Sequence, residues 1–151
     1  MSFHNSEKIL IHTRTDFLWQ NGLEYAQQGV SIASRNGINL HYLLEGDGPE
    51  MESLAFTRHD LGMQHICTLK RQKSSSIFHY HADIFLIPAV KQGNFSPPPW
   101  ENYLSVIVTS IIAIPSDHHF TLGTVRIPAW DAEAVARAIR DICERKATLA
   151  E

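Results

Sequence analysis

Three polar constellations in this chain carry residue types that could do chemistry. In HYHAD, His79, His81 and Asp83 set two imidazoles and a carboxylate on alternating positions, a set that can ligate a divalent metal. His118 and His119 follow Asp117 and could serve as acid, base or ligand near neutral pH. Lys70, Arg71 and Lys73 gather positive charge that could meet a phosphate or an acidic partner. Each has a plainer reading that the pattern favours. HYHAD passes from a predicted helix into a predicted strand, which splays its three side chains and leaves Asp83 as a structural residue where the strand begins. Adjacent histidines rarely aim at one point, and a basic cluster after a strand is ordinarily a solvated turn. Trp100 and Trp130 could stack a base or sugar ring, but packing against the domain's own loops is the plainer expectation. Arg14, taken alone, would be a surface ion pair. A small metal enzyme built on His79, His81 and His118 is therefore the weakest functional reading, and no metal site is expected.

The positioning elements follow from periodicity. Lys8 to His12 reads as a buried strand, and Leu23, Ala26, Val30 and Ala33 recur at helical spacing between Gly22 and Arg35. A strand over Leu40 to Leu44 runs into a Gly-Asp-Gly turn. A helix over Glu50 to Leu61 then places Met51, Leu54, Ala55 and Leu61 on one face and stops at Gly62. Ile66 to Leu69 is a third strand, Ser74 to Ser76 can cap a short helix reaching His81, and Ile84 to Ile87 is a compact apolar strand ended by Pro88. Pro97, Pro98 and Pro99 exclude helix or central strand until about Trp100. Val106 to Thr109 and Thr124 to Ile127 are the later strands. Asp131 caps a final helix with Val135, Ala138, Ile139 and Ile142 inward and Arg145 and Lys146 in its last turn. Strand alternating with helix throughout predicts one α/β domain over residues 1–151, a doubly wound, mostly parallel Rossmann-like sheet with helices on both faces.

Composition narrows the partners. The 151 residues hold 13 Lys and Arg against 16 Asp and Glu, without the basic excess that nucleic-acid backbones demand. Cys67 and Cys143 sit in apolar patterns and read as buried thiols, which fits a reducing cytoplasm. The first residues, MSFHNSEK, lack a signal-peptide core, and no apolar run reaches membrane-spanning length.

Taken in order, Thr13-Arg14, WQNGLEYA (Trp19 to Ala26), EGDGPEMESL (Glu45 to Leu54), DLG (Asp60 to Gly62), ADIFLIPAV (Ala82 to Val90) and VRIPAWDAEAVARAI, the closing segment, resemble the C-terminal half of the retaining GT-B glycosyltransferases, the group 1 family that uses nucleotide sugars. The resemblance runs from about Ile9 to Ile139 in the family's order and spacing. It implies one half of a GT-B fold and a nucleoside diphosphate sugar as donor substrate, with no permanently bound cofactor. It also implies a set of donor contacts: Arg14, Asn21, Gly46, Gln92 and Glu101, of which Arg14 and Gln92 stand nearest the reacting bond.

Within that set Arg14 matches the family's arginine, a cation for the departing diphosphate. The family's lysine falls on Asn21. The family's two glutamates fall on Gln92, facing the transferred sugar, and Glu101, facing the ribose hydroxyls. Eight residues lie between these two where the family has seven, and Ser96 to Pro99 stiffens the interval. The family's Gly-Gly phosphate turn falls on Ile112-Ala113, whose side chains would block close backbone approach. The expectation is an eroded donor-binding half, inactive alone, that works with a separate acceptor-binding chain or as a homo-oligomer. The alternative is a non-catalytic binding or scaffold module on the same fold.

Overall fold

The computed structural model describes residues 7–72, 81–91, 98–112 and 119–149. Six strands, β1 (Ile9–Arg14), β2 (Leu40–Gly46), β3 (Cys67–Arg71), β4 (Ala82–Ile87), β5 (Tyr103–Thr109) and β6 (Thr124–Ile127), form one sheet in the order β3-β2-β1-β4-β5-β6. Every pairing is parallel. The order starts at the centre, runs to one edge, returns and runs to the other, which is the doubly wound arrangement expected from the alternating elements.

Among the described residues three α-helices, α1 (Leu23–Arg35), α2 (Met51–Asp60) and α3 (Ala132–Leu149), share one core with the sheet. Alternation decides which strand residues meet them: Ile9 and Ile11, Leu40, Tyr42 and Leu44, Ile84 and Leu86 all point to this side. Each such fully buried side chain contributes about 1.5–3 kcal/mol. Asp131 caps α3 as anticipated, its Oδ1 accepting from Ala134 N at 2.9 Å. α2 departs from expectation. Only Leu54 of its face is buried, Ala55 is exposed and Met51 and Leu61 are half-buried, because α2 meets just the flank of α1 and the edge of the sheet.

The opposite face carries a second, aromatic cluster in which Trp100 meets Phe85 and Phe120 edge-on. Trp100 thus packs against its own domain, as read from the sequence. The predicted helix from Ser74 toward His81 lies, up to Tyr80, outside the described residues. Asp83 is the structural residue it was taken for: its carboxylate accepts from Leu10 N at 2.8 Å and from Lys146 Nζ at 2.9 Å, tying β4 to β1 and to α3. Both cysteines are buried thiols. No helix among the described residues is long and apolar enough to cross a membrane.

Candidate functional site: the crevice between the first and fourth strands

The strand order reverses between β1 and β4, and there the sheet opens. β1 keeps six rungs with β2 but only two with β4, Ile11 with Ile84 and His12 with Phe85. Past them the hydroxyl of Thr13 replaces the ladder, donating to Leu86 O at 2.7 Å while accepting from Tyr42 OH at 2.7 Å. The crevice beyond is lined by Thr13, Arg14, Thr15, Asn21, Lys91 and the Phe85 to Ala89 backbone run. Ligands of doubly wound sheets bind at this switch point.

A 3-10 turn, Trp19–Asn21, forms one wall. Gly22 ends it at φ 66° with its α-carbon pressed on β4's exit: a β-carbon there would lie 2.0 Å from Pro88 O. Val90 N donates to Gln20 O at 2.9 Å, and Asn21 Nδ2 donates to Asp16 O at 2.7 Å. The two walls are therefore stapled before any ligand arrives. Lys91 Nζ stands 5.8 Å from the centroid of the Trp19 ring, within range of a cation–π contact that restrains an otherwise exposed ammonium.

Beneath Arg14 runs a buried polar chain. Arg14 is 7% exposed and stands across the register from Glu45, which is 1% exposed. His12 Nε2 lies 2.8 Å from Glu45 Oε1 and His12 Nδ1 2.8 Å from Tyr103 OH. A carboxylate only accepts, so Nε2 carries the proton and Tyr103 donates to Nδ1. Lys70 Nζ approaches the other Glu45 oxygen at 3.9 Å. Burial pushes the His12 imidazole below its ordinary pKa, Glu45 pulls the other way, and the Arg14 charge adds to the depression. Burial likewise raises the Tyr103 phenol, reinforced by the charge of Glu45.

A depressed folded-state pKa means that the unfolded chain binds more protons as pH falls below about 6.5. The His12 contribution is thus complete above that pH and lost below it. The melting temperature is expected to fall between pH 7 and pH 5, and His12→Gln, which keeps hydrogen-bonding capacity without titrating, should flatten part of that fall in a pH series of thermal melts.

Of the residues expected at the site, the structure brings together Arg14 and Asn21. Gly46 is elsewhere: its α-carbon lies under the loop after β1, where a β-carbon would sit 1.8 Å from Thr15 O and 2.8 Å from the Phe17 ring. It makes room for that loop and faces no crevice. Glu101 is also misplaced by the sequence reading. It is exposed on the 3-10 turn Trp100–Asn102, just before β5 begins. With seven residues in β5, it stands roughly 20 Å from the carboxyl edge, too far to reach a ribose in the crevice. Gln92 and Ala113 lie outside the described residues, while Ile112 lines the crevice.

His79, Lys73, Asp117 and His118 also fall outside, and His81 is exposed. Lys70 and Arg71 belong to β3 rather than to a turn, and Arg71 Nε sits 3.2 Å from Asp47. Among the described residues no group of three or more His, Cys, Asp or Glu is placed to hold a metal ion.

Sequence reasoning missed Lys91, His12, Glu45 and Tyr103. The signal for His12 and Glu45 was a polar side chain directly after the apolar runs Ile9 to Ile11 and Tyr42 to Leu44. For Lys91 it was a cation directly after the strand that ends at the switch point.

The crevice has two cations and, among its described lining residues, no carboxylate. Its volume is only about 20 Å³, room for about one water-sized group. A larger cavity of about 290 Å³ lies on the sheet face beside His12, His41 and Lys70 and is bordered by His81.

No family model and no curated protein sequence matches this chain. Solved structures do. A glycosyltransferase from Rickettsia africae ESF-5 aligns over 93% of this chain and 38% of its own at 16% identity and TM-score 0.73. The C-terminal domain of a glycosyl transferase group 1 family protein (LpcC) from Francisella tularensis aligns over 90% of this chain and 75% of its own, at 12% identity and TM-score 0.67. Anabaena HepE in complex with UDP aligns over 92% and 40%, at 9% identity and TM-score 0.66. The chain spans about two fifths of the length of the full-length proteins among these. At such identities the likeness is one of fold: this chain has the fold of a glycosyltransferase C-terminal domain, one half of a GT-B enzyme.

Proposed function

We propose that this domain binds a nucleoside diphosphate sugar, with the diphosphate in the crevice between β1 and β4, as the donor-binding half of a glycosyltransferase. The observation that carries the reading is the meeting of Arg14, Asn21 and Lys91 at the switch point of the sheet. Cleavage of a sugar–phosphate bond leaves charge on the departing diphosphate, and fixed donors aimed at it stabilise the transition state by about 3 kcal/mol apiece. Arg14 is the buried member of the pair and Lys91 the exposed one. Lys91 restores the positive charge that Asn21 lacks, from the opposite wall. Transfer needs an acceptor-binding half that closes the cleft and excludes water, so this domain alone turns over little or nothing.

A second reading, binding without transfer, is favoured by the absence of a carboxylate from the described crevice lining and by the distance of Glu101. Both readings share the donor site, and calorimetric titration with UDP, GDP and ADP tests it. One nucleotide is expected to bind saturably. Lys91→Ala should weaken it about fivefold, as befits a solvent-screened cation worth up to ~1 kcal/mol, and Glu101→Ala should leave it unchanged. Loss of binding in the Glu101 variant, or indifference to Lys91, would contradict the assignment of the crevice.

A further inference from the structure

Trp130 is the one non-glycine residue with positive φ among the described residues, at 63°. A bulky side chain in the left-handed region is strained, and such strain gathers at functional positions. Packing does not account for it here. The indole is 56% exposed and touches Tyr25 only edge-on, with ring centroids 5.5 Å apart and planes at 82°.

What the strained turn does is hold the indole at the wall of a cavity of about 120 Å³. Trp19, 59% exposed, is another wall. Glu24 in the first turn of α1, Glu50 at the cap of α2, and Ser53 supply oxygens along it. Neither carboxylate has a basic partner among the described residues.

The groove is smaller than the ~300–1,000 Å³ of drug-sized pockets, which suits one six-membered ring and excludes a nucleotide. Exposed indole faces offer an apolar platform with a polar edge, the complement of the C–H face of a pyranose. Paired carboxylate oxygens accept from vicinal hydroxyls. Position supports the same chemistry. Trp19 borders this groove and also carries Lys91 of the crevice on its ring. The single turn Trp19–Asn21 thus separates two concavities at the carboxyl edge of the sheet, and Gly22, packed on Pro88, fixes that turn in place.

We propose that the groove lined by Trp19, Trp130, Glu24 and Glu50 binds a pyranose ring of a neutral carbohydrate, as an acceptor-side subsite next to the donor crevice. The acceptor role rests on the donor-half reading; carbohydrate binding itself does not. The test is an NMR titration of the labelled protein that follows the three indole N–H signals with maltose, cellobiose and N,N′-diacetylchitobiose, then with tetramethylammonium chloride, and separately with UDP.

One disaccharide is expected to move the Trp19 and Trp130 signals saturably and to leave buried Trp100 in place. Trp19→Ala and Trp130→Gly should each weaken it tenfold or more. Glycine suits the backbone at position 130, so that variant should keep its melting temperature and its UDP affinity. Stillness of both exposed indoles at tens of millimolar disaccharide would overturn the proposal. A response to tetramethylammonium alone, which marks an ammonium site, would also overturn it, as would a dimer that already covers both indoles. If UDP binds while every disaccharide fails, the groove inference falls and the donor reading stands. If a disaccharide binds and UDP does not, the groove stands as a carbohydrate site and its acceptor role falls.

Discussion

Arg14→Ala is expected to weaken nucleoside diphosphate binding by about 10- to 100-fold, the equivalent of ~1.5–3 kcal/mol for a hydrogen bond to a charged group. The effect is large because Arg14 is held, not flexible. It is the last residue of β1, 7% exposed, with its backbone locked to Glu45 by the parallel register and its neighbour Thr13 clamped between Tyr42 and Leu86. A cation fixed at the mouth of a switch-point crevice pays little ordering entropy when it meets phosphate, in contrast to exposed Lys91. Truncation also removes positive charge near Glu45, His12 and Tyr103, so some loss of melting temperature should accompany it. Arg14→Lys separates the two effects. It retains the charge for the buried network while losing the planar fork that grips two phosphate oxygens, and should recover most of the stability and only part of the affinity. Calorimetry and thermal melts on both variants read this directly.

Gly22→Ala is expected to be strongly damaging, costing roughly 3 kcal/mol or more from overpacking and left-handed strain together. For a domain of this size that is a fall of about 6–12 °C in melting temperature. The added carbon would sit 2.0 Å from Pro88 O and 2.9 Å from Pro88 C, backbone atoms that cannot rotate away, at φ 66°. Relief requires the Trp19–Asn21 turn to lift from the exit of β4. That movement breaks the Val90 to Gln20 hydrogen bond and takes Asn21 and Trp19 with it. Stability and nucleotide affinity should therefore fall together. Gly62→Ala offers the comparison: it shares a φ of 66° but has nothing within 4 Å of the added carbon, so it should cost about 1 kcal/mol and leave affinity alone.

Periodicity and capping were enough to read most of the fold because those signals are local. α3 announces itself through Asp131, an inward apolar stripe and a basic last turn, and the structure realises each of them. β5 was read three residues short. Tyr103, Leu104 and Ser105 look mixed in sequence, and what makes them strand is tertiary: Tyr103 reaches His12, 91 residues away, and Ser105 Oγ donates to Gly123 O. Glu101 came from the family's glutamate spacing alone, and the strand's early start sets it immediately before β5, at the end opposite the carboxyl edge.

The crevice was legible where it depends on strand ends, as for Arg14. It was not legible where it depends on long-range packing. Gly46 entered the set through the family resemblance, and nothing in the sequence shows that Thr15 and Phe17 come to rest on it. Lys91 supplies charge from a different element than the family pattern uses, which only the juxtaposition of two loops reveals.

The measurement that tests the central claim most directly is a backbone amide titration of the wild-type domain with UDP, followed by GDP and ADP. Saturable shifts concentrated at Thr13 to Thr15, Asn21 and Lys91, with Glu101 and its neighbours unmoved, are the result that a diphosphate in the crevice between β1 and β4 predicts. Shifts centred elsewhere, or no saturable shift with any of the three nucleotides at millimolar concentration, would contradict it and leave a glycosyltransferase fold put to another use.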